Sequence, residues 1–255
     1  MLHLAGKIAV ITGATGSIGS ETVDVFKREG ATVVAVDVRD GQTNADHFIK
    51  ADLTDEAAVA ALYAEAYEKY GRLDVLFNNA GIAVPEDASV LDTELDVWNH
   101  VVNVNMTSVY LCCKHGIPYL LNSGGGAVIN TASLVASIGS ATSQIAYTAS
   151  KGGVLSLSRE LGVEFAKQGV RVNSISPGPV ETPLLKNLFS PEESERRLVH
   201  VPYGRFAQAR EIAEAVAFLA SDNASYVNAV DFKIDGGITA AYVTPLEAAV
   251  AASRI

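Results

Sequence analysis

Tyr147 and Lys151 lie four residues apart, fourteen residues after Ser133, in a chain whose first loop reads Gly13-Ala-Thr-Gly16-Ser-Ile-Gly19. On a helix, positions i and i+4 share a face, so a phenol and an ammonium at that spacing meet. A cation held there favours the phenolate, whose unperturbed pKa of about 10 makes it a poor base near neutrality. Lowering that value by roughly 3 units takes about 4 kcal/mol of differential stabilisation. One ammonium would struggle to supply it; an ammonium together with an oxidised nicotinamide ring could. Spacing alone does not choose the pair, because Tyr110-Leu-Cys-Cys-Lys114 repeats it. Tyr147 follows a strand-like run, Ala127 to Ala132, that ends at a serine and leads into a loop. Tyr110 sits inside a long apolar-periodic stretch and reads as a packed tyrosine.

The elements that must carry these groups alternate along the chain. Strands are expected at Lys7–Thr12, Thr32–Asp37, Phe48–Ala51, Val75–Asn78, Ala127–Thr131, Arg171–Ile175 and Ala229–Ile234. Helices are expected at Ser17–Glu29, Asp55–Tyr70, Glu94–Leu121, Ala146–Lys167 and Arg210–Ala220. Near-continuous apolar strands separated by helices indicate an α/β fold with a parallel sheet covered on both faces. Gly30, Gly71 and Gly169 stand where helix C-termini need them. Gly124-Gly-Gly126 precedes a strand and reads as a plain turn. No linker divides the chain, so residues 1–255 are read as one domain. The least regular stretch, Pro177–Phe206, holds five of the eight prolines. It reads as a lid over a substrate, centred on residues 184–206, or as a surface excursion.

Bulk properties narrow the partners. Hydrophobic residues make up 49% of the 255, enough for a buried core, and the formal charge is −10. That charge argues against nucleic acid and against an anionic membrane surface, both of which need a basic footprint. No segment approaches the length that spans a bilayer. The apolar start, Leu2 to Ile11, lacks a basic lead and reads as a first strand, not a signal peptide. Cys112 and Cys113 are adjacent, and the five histidines are scattered, so neither a disulfide framework nor a metal site is expected. A reducing cytoplasm fits this usage.

The first loop closes a strand and opens a helix, the context that a dinucleotide reading requires. Its glycines permit a tight turn and close backbone approach, and the helix N-terminus offers free N–H groups to a pyrophosphate. Asp37 ends the second strand, eighteen residues after Gly19. A carboxylate there accepts both hydroxyls of an adenosine ribose and repels a 2′-phosphate, which favours NAD over NADP. Arg39, two residues on, either binds such a phosphate or is simply solvated. Asp52 either contacts the adenine amino group or caps the helix that begins near Asp55.

Together these residues resemble the short-chain dehydrogenase/reductase family over almost the whole chain. The resemblance rests on Thr12-Gly-Ala-Thr-Gly-Ser-Ile-Gly19, Asn78-Asn-Ala-Gly81, Asn105, Ser133, Tyr147-Thr-Ala-Ser-Lys151, Pro177-Gly178 with Thr182, and Asp235-Gly-Gly237. It implies a single-domain, Rossmann-type, doubly wound sheet of about seven strands, assembled as a homotetramer. It also implies NAD(P)-dependent oxidation of alcohols or reduction of carbonyls. Cofactor contacts would then fall on Gly13, Thr15, Gly16, Ser17, Ile18, Gly19, Asp37, Asp52, Leu53, Asn79, Ala80, Gly81, Tyr147, Lys151, Pro177, Gly178, Val180 and Thr182. Asp235-Gly-Gly237 would serve the last strand and subunit contacts. Two departures stand out. Gly16-Ser17 gives the Gly-x-x-Gly-x-x-Gly spacing of the family's longer-chain branch, and the interval from Ser133 to Tyr147 is one residue longer than usual. Residues 241–255 extend beyond the shared core.

By the same resemblance the catalytic set is Asn105, Ser133, Tyr147 and Lys151. Tyr147 takes the hydroxyl proton as hydride leaves the carbinol carbon, or returns it in the reverse direction. Lys151 stabilises the phenolate and binds the nicotinamide ribose, Ser133 orients the substrate oxygen, and Asn105 holds a water linking Lys151 to solvent. For Ser133 the alternative is a hydroxyl capping its own turn; for Asn105 it is an amide bridging backbone groups. Three functions are compatible with the residues. The first is an NAD-dependent dehydrogenase of a small secondary alcohol. The second is a reductase of 3-oxoacyl groups on an acyl carrier protein, disfavoured because Leu120–Gly126 offers an acidic partner no basic residue. The third is a non-catalytic dinucleotide sensor, disfavoured because the Ser/Tyr/Lys set is complete.

Overall fold

The computed structural model describes residues 3–182 and 190–243. Its strands are β1 (Ile8–Thr12), β2 (Thr32–Asp37), β3 (His47–Lys50), β4 (Val75–Asn78), β5 (Gly126–Thr131), β6 (Val170–Pro177) and β7 (Asp231–Ile234). They form one seven-stranded sheet in the order β3-β2-β1-β4-β5-β6-β7, with every pairing parallel. The α-helices among the described residues are α1 (Ser17–Arg28), α2 (Glu56–Tyr70), α3 (Leu95–Val102), α4 (Ser108–Asn122), α5 (Ile145–Phe165), α6 (Pro191–Leu198) and α7 (Ala209–Ala220). The doubly wound α/β architecture expected from the strand and helix pattern is present.

Two apolar clusters, one on each face of the sheet, explain why the strands read as unbroken hydrophobic runs. Side chains along a strand alternate between faces. Ile8, Val10, Leu76 and Val128 join α2, α4 and α5 through Leu62, Ile117 and Val154. Their neighbours Ala9, Ile11, Phe77 and Ile129 join α1 and α7 through Phe26 and Val216. With both faces dry, polar alternation has no place in the central strands. Cys112 and Cys113 lie buried in the first cluster with free thiols.

The chain runs outward from β1 to β3 and then returns to place β4 on the other side of β1. This reversal separates the loops at the carboxyl ends of β1 and β4 and opens the crevice where ligands of open α/β sheets bind. The loops after β1, β4, β5 and β6 all emerge at this end, and they carry the glycine loop, Asn79–Gly81, Ser133 and Gly178–Thr182.

Three expectations need correction. The stretch Glu94–Leu121, read as one helix, is α3 and α4 joined by a π-helical turn at Asn103–Thr107, where the Ser108 N–H reaches back to the Asn103 carbonyl. Apolar periodicity runs through both helices, so the extra residue in the turn left no trace in the pattern. The third strand ends at Lys50, not at Ala51. The stretch read as irregular contains α6, capped by Ser190, with proline in its first turn, Glu192 and Glu193 at its start, and Arg196 and Arg197 at its end. Of the lid expected at 184–206, residues 184–189 lie outside the described residues; of the extension at 241–255, residues 244–255 do.

Candidate active site

The glycine loop is tight because its backbone folds onto itself. Gly13 has φ +63°, and a Cβ there would come within 2.9 Å of the Ala80 backbone. At Gly19 a Cβ would approach the Gly13 carbonyl oxygen to 2.1 Å, so no other residue fits. The N-terminus of α1 has no side-chain cap and no acidic residue in its first turn. Among the described residues, no protein acceptor takes the N–H groups of Ser17, Ile18 and Gly19. Three free donors at the positive end of a helix, above a loop that excludes side chains, suit a dinucleotide pyrophosphate.

At the end of β2, Asp37 is buried and joined to that loop. Its Oδ2 accepts the Thr15 N–H (3.0 Å) and the Thr15 hydroxyl (2.6 Å), while Oδ1 accepts the Arg39 N–H (3.1 Å). Burial opposes the charged carboxylate, but these hydrogen bonds outweigh it and hold the carboxyl below its ordinary pKa. The Arg39 side chain is largely exposed; its guanidinium stands 3.7 Å from Asp37 and reaches the Thr15 hydroxyl at 3.4 Å. Asp52 is exposed and two residues past its strand, and its Oδ1 accepts both the N–H and the hydroxyl of Thr54. The helix cap is Asp55 itself, which accepts the Ala57 N–H. The Leu53 side chain packs in the core.

Beside the glycine loop, the segment after β4 is fastened by Thr12, whose hydroxyl accepts the N–H groups of Asn79 and Ala80. Asn79 in turn donates to the Thr12 and Gly13 carbonyls. Gly81 passes close enough to Asn105 and Lys151 that a Cβ would meet Asn105 Oδ1 at 3.2 Å and Lys151 Nζ at 3.3 Å. Asn105 lies in the π-helical turn, fully buried, and grips Ile82 through both the N–H (2.7 Å) and the carbonyl (2.9 Å). Its amide also donates to Ser150 at 3.3 Å. The side chain thus ties the Ile82 backbone to the Ser150 hydroxyl.

Ser133, Tyr147 and Lys151 converge where β5 ends and α5 begins. Ser133 is extended and buried; its Oγ accepts the Val135 N–H at 3.4 Å, and its hydroxyl faces the Tyr147 phenol closely enough to draw the phenol's pKa down. Lys151 Nζ lies 5.7 Å from the centroid of the Tyr147 ring and donates to the Thr131 carbonyl at 2.8 Å. Burial pushes the Tyr147 phenol above its ordinary pKa, against the smaller pull of Ser133, and pushes the Lys151 ammonium down to about 8. In the chain by itself both shifts therefore resist the charged forms, as low-dielectric surroundings require. Tyr110, the competing tyrosine, is nearly half exposed on α4, with Lys114 paired to Glu56.

The remaining expected residues line the ends of β6 and β7. Gly178 donates to the Ile234 carbonyl, and Val180 is buried and bridges to Ala207. Pro177 ends β6, and Thr182 follows Val180 by two residues. Asp235 accepts the N–H groups of Gly237 and Thr239, shaping the turn after β7. Sequence reasoning passed over Asp87, which is buried in the loop after β4 and accepts the N–H of Ala146 (2.9 Å) and of Tyr147 (2.8 Å). It also missed Ser150, whose hydroxyl donates to the Tyr147 carbonyl at 2.7 Å. Among the described residues no group of three or more His, Cys, Asp or Glu side chains could hold a metal ion. None of their helices is long and apolar enough to cross a membrane.

A family model described as enoyl-(acyl carrier protein) reductase matches residues 13–239. The chain belongs to the short-chain dehydrogenase/reductase family. Within that family it is 39% identical over 246 residues to a cis-4-hydroxycyclohexanecarboxylate dehydrogenase from Sinomonas cyclohexanicum, covering 92% of this chain and 98% of that one. It is 36% identical over 251 residues to a 3-oxoacyl-[acyl-carrier-protein] reductase from Thermotoga maritima, covering 93% and 99%. Among solved structures, levodione reductase superposes with a TM-score of 0.88 at 33% identity, covering 94% of this chain and all of that one. As a short-chain dehydrogenase/reductase the chain is an oxidoreductase of alcohol and ketone groups that uses a nicotinamide dinucleotide.

Proposed function

We propose that this short-chain dehydrogenase/reductase is an NAD-dependent dehydrogenase of a small secondary alcohol, working through Tyr147 as general base. The observation that carries the reading is the convergence of the Ser133 hydroxyl, the Tyr147 phenol and the Lys151 ammonium at the carboxyl end of β5. When bound, the dinucleotide supplies the hydride acceptor. Ser133 holds the substrate hydroxyl within reach of Tyr147, because geometry precedes pKa in a proton transfer. Tyr147 takes the proton, and Lys151, close against its ring, stabilises the phenolate. Ser17, Ile18 and Gly19 bind the pyrophosphate by their N–H groups, Asp37 receives the ribose hydroxyls, and Lys151 serves the second ribose.

Asp37 supports NAD because its carboxylate is held charged where a 2′-phosphate would sit. Substrate class is supported by the relatives, two of which are named for cis-4-hydroxycyclohexanecarboxylate and for levodione. Arg205, one of the cations available to an acidic substrate, is already committed to Glu211. Lys186, another, lies outside the described residues. The same reading takes the chain as one catalytic domain that acts in the cytoplasm as a homotetramer, with residues 190–206 over the substrate.

The similarity to an acyl-carrier-protein reductase keeps a second substrate class in view, although Leu120–Gly126 offers such a partner no cation. A panel of cyclic and acyclic alcohols, their ketones and a 3-oxoacyl carrier thioester, each assayed with NAD(H) and NADP(H), decides. The expected result is turnover of a small alcohol with NAD. Turnover confined to the thioester, or to NADP(H), would overturn the proposal.

A further inference from the structure

Helix α5 carries both Tyr147 and Lys151, yet nothing local secures its start. Its N-cap, Gln144, makes no side-chain capping bond, and its first turn contains no acidic residue. An uncapped helix leaves N–H groups orphaned and the positive end of the dipole unanswered. The missing partner comes from the loop after β4, fifty-nine and sixty residues upstream. Asp87, 5% exposed, sets one carboxylate oxygen on the Ala146 N–H and the other on the Tyr147 N–H, at 2.9 and 2.8 Å.

This contact closes a circuit around one residue. The Tyr147 N–H is held by Asp87, and the Tyr147 carbonyl accepts the Ser150 hydroxyl. Ser150 accepts from Asn105, and Asn105 clamps both backbone groups of Ile82, five residues before Asp87 in the same loop. Tyr147 is therefore gripped at its own peptide from both sides by one loop. Among the described residues the Asp87 carboxylate bonds only the Ala146 and Tyr147 N–H groups and not the glycine loop, Asp37 or Lys151, so its hold falls on the start of α5.

We infer that Asp87 is a positioning residue for the proton transfer: its bidentate hold on the start of α5 sets where the Tyr147 hydroxyl stands relative to Ser133. The inference rests on the function proposed above. It predicts a particular split. Releasing the start of α5 should move the phenol while leaving the glycine loop and Asp37, which would hold the adenosine end of the dinucleotide, in place. An ångström of displacement at a reacting group costs on the order of a hundredfold in rate.

Asp87→Asn keeps one acceptor and replaces the other by a donor facing an N–H; Asp87→Ser keeps a single short capping oxygen. Both are measured as full-length protein against Tyr147→Phe and the unaltered chain, for kcat and KM with the best alcohol of the panel. The dissociation constant of NADH is read separately from its fluorescence. The expected result is a fall in kcat of at least about tenfold in both variants, with NADH affinity within about twofold of the unaltered protein. An unchanged kcat in either variant would overturn the inference. So would a kcat loss matched by an equal loss of NADH affinity, which marks general loosening of the fold. Retained turnover in Tyr147→Phe would instead defeat the proposed chemistry, whatever Asp87 does.

Discussion

Lys151 stands 5.7 Å from the centre of the Tyr147 ring, with its ammonium bonded to the Thr131 carbonyl rather than to the phenol oxygen. The cation therefore acts on the tyrosine through space, while burial opposes charge on both groups. On the proposed reading, the added positive charge of an oxidised nicotinamide nearby is what would let the phenol serve as a base near neutrality.

Tyr147→Phe keeps the ring and deletes the proton acceptor. Turnover should fall by about 10²–10⁴, the usual worth of one general base, while the NADH dissociation constant stays put. In the unaltered enzyme, alcohol oxidation should quicken as pH rises, because burial holds the phenol protonated and the base is its ionised form. Ketone reduction should slow over the same range. Steady-state rates in both directions across pH test the pair of trends, and a flat oxidation profile would remove Tyr147 from the role.

Lys151 is 3% exposed, and its pKa falls from 10.5 to about 8. A folded-state pKa below the unfolded value means that the buried ammonium costs stability at low pH. By linkage the cost is about 3 kcal/mol below pH 8 and disappears by about pH 10.5. Lys151→Met removes the charge and retains the bulk, losing the bond to Thr131, worth about 1 kcal/mol. The cofactor-free variant should thus be more stable than the parent by about 2 kcal/mol at pH 7, and inactive. Its advantage should shrink between pH 8 and 10.5. Denaturant unfolding at pH 7 and pH 10 measures both effects; a variant less stable at pH 7 would contradict the account.

The central strands were legible because both faces of the sheet are dry, so Val33–Val36 and Val75–Phe77 leave no polar position to blur the pattern. The glycine loop was legible because Gly13 and Gly19 meet backbone that tolerates no Cβ. The join at Asn103–Thr107 was not, since one extra residue per turn does not interrupt an apolar stripe. Asp87 was beyond reach for another reason: its partners lie about sixty residues away, and an acidic residue in a loop normally marks only solvent. Helix α6 escaped notice because a short, strongly charged helix has no apolar face to detect, although Ser190-Pro191-Glu192-Glu193 is an ordinary helix start.

On the proposed reading Asp37 does two things at once, and its removal should expose both. Asp37→Ala frees the Thr15 N–H and hydroxyl, so NAD should bind more weakly. It also removes the charge that repels a 2′-phosphate, so the ratio of kcat/KM for NAD over NADP should drop at least about tenfold, equivalent to ~1.4 kcal/mol. Arg39, 3.7 Å from the carboxylate, becomes the natural partner of that phosphate. Adding Arg39→Ala should then cancel the gain in NADP use. A cofactor ratio unmoved by Asp37→Ala would reject the ribose contact.

Gly81 offers a test that separates space from strain. A Cβ there would stand 3.2 Å from Asn105 Oδ1 and 3.3 Å from Lys151 Nζ, closer than ordinary contact. Asn105 cannot yield, because Ile82 holds its oxygen and its nitrogen. The Lys151 ammonium, at the end of a flexible stem, must move instead and give up part of its bond to Thr131. In Gly81→Ala, kcat and NAD affinity should therefore fall together, by about tenfold each, since one ammonium serves both. Gly71 is the control, with φ +74° and open space around its Cβ position. Gly71→Ala should cost about 1 kcal/mol of stability through its left-handed backbone and leave the kinetics untouched. If both substitutions lowered stability alone, Lys151 would not be the group that Gly81 makes room for.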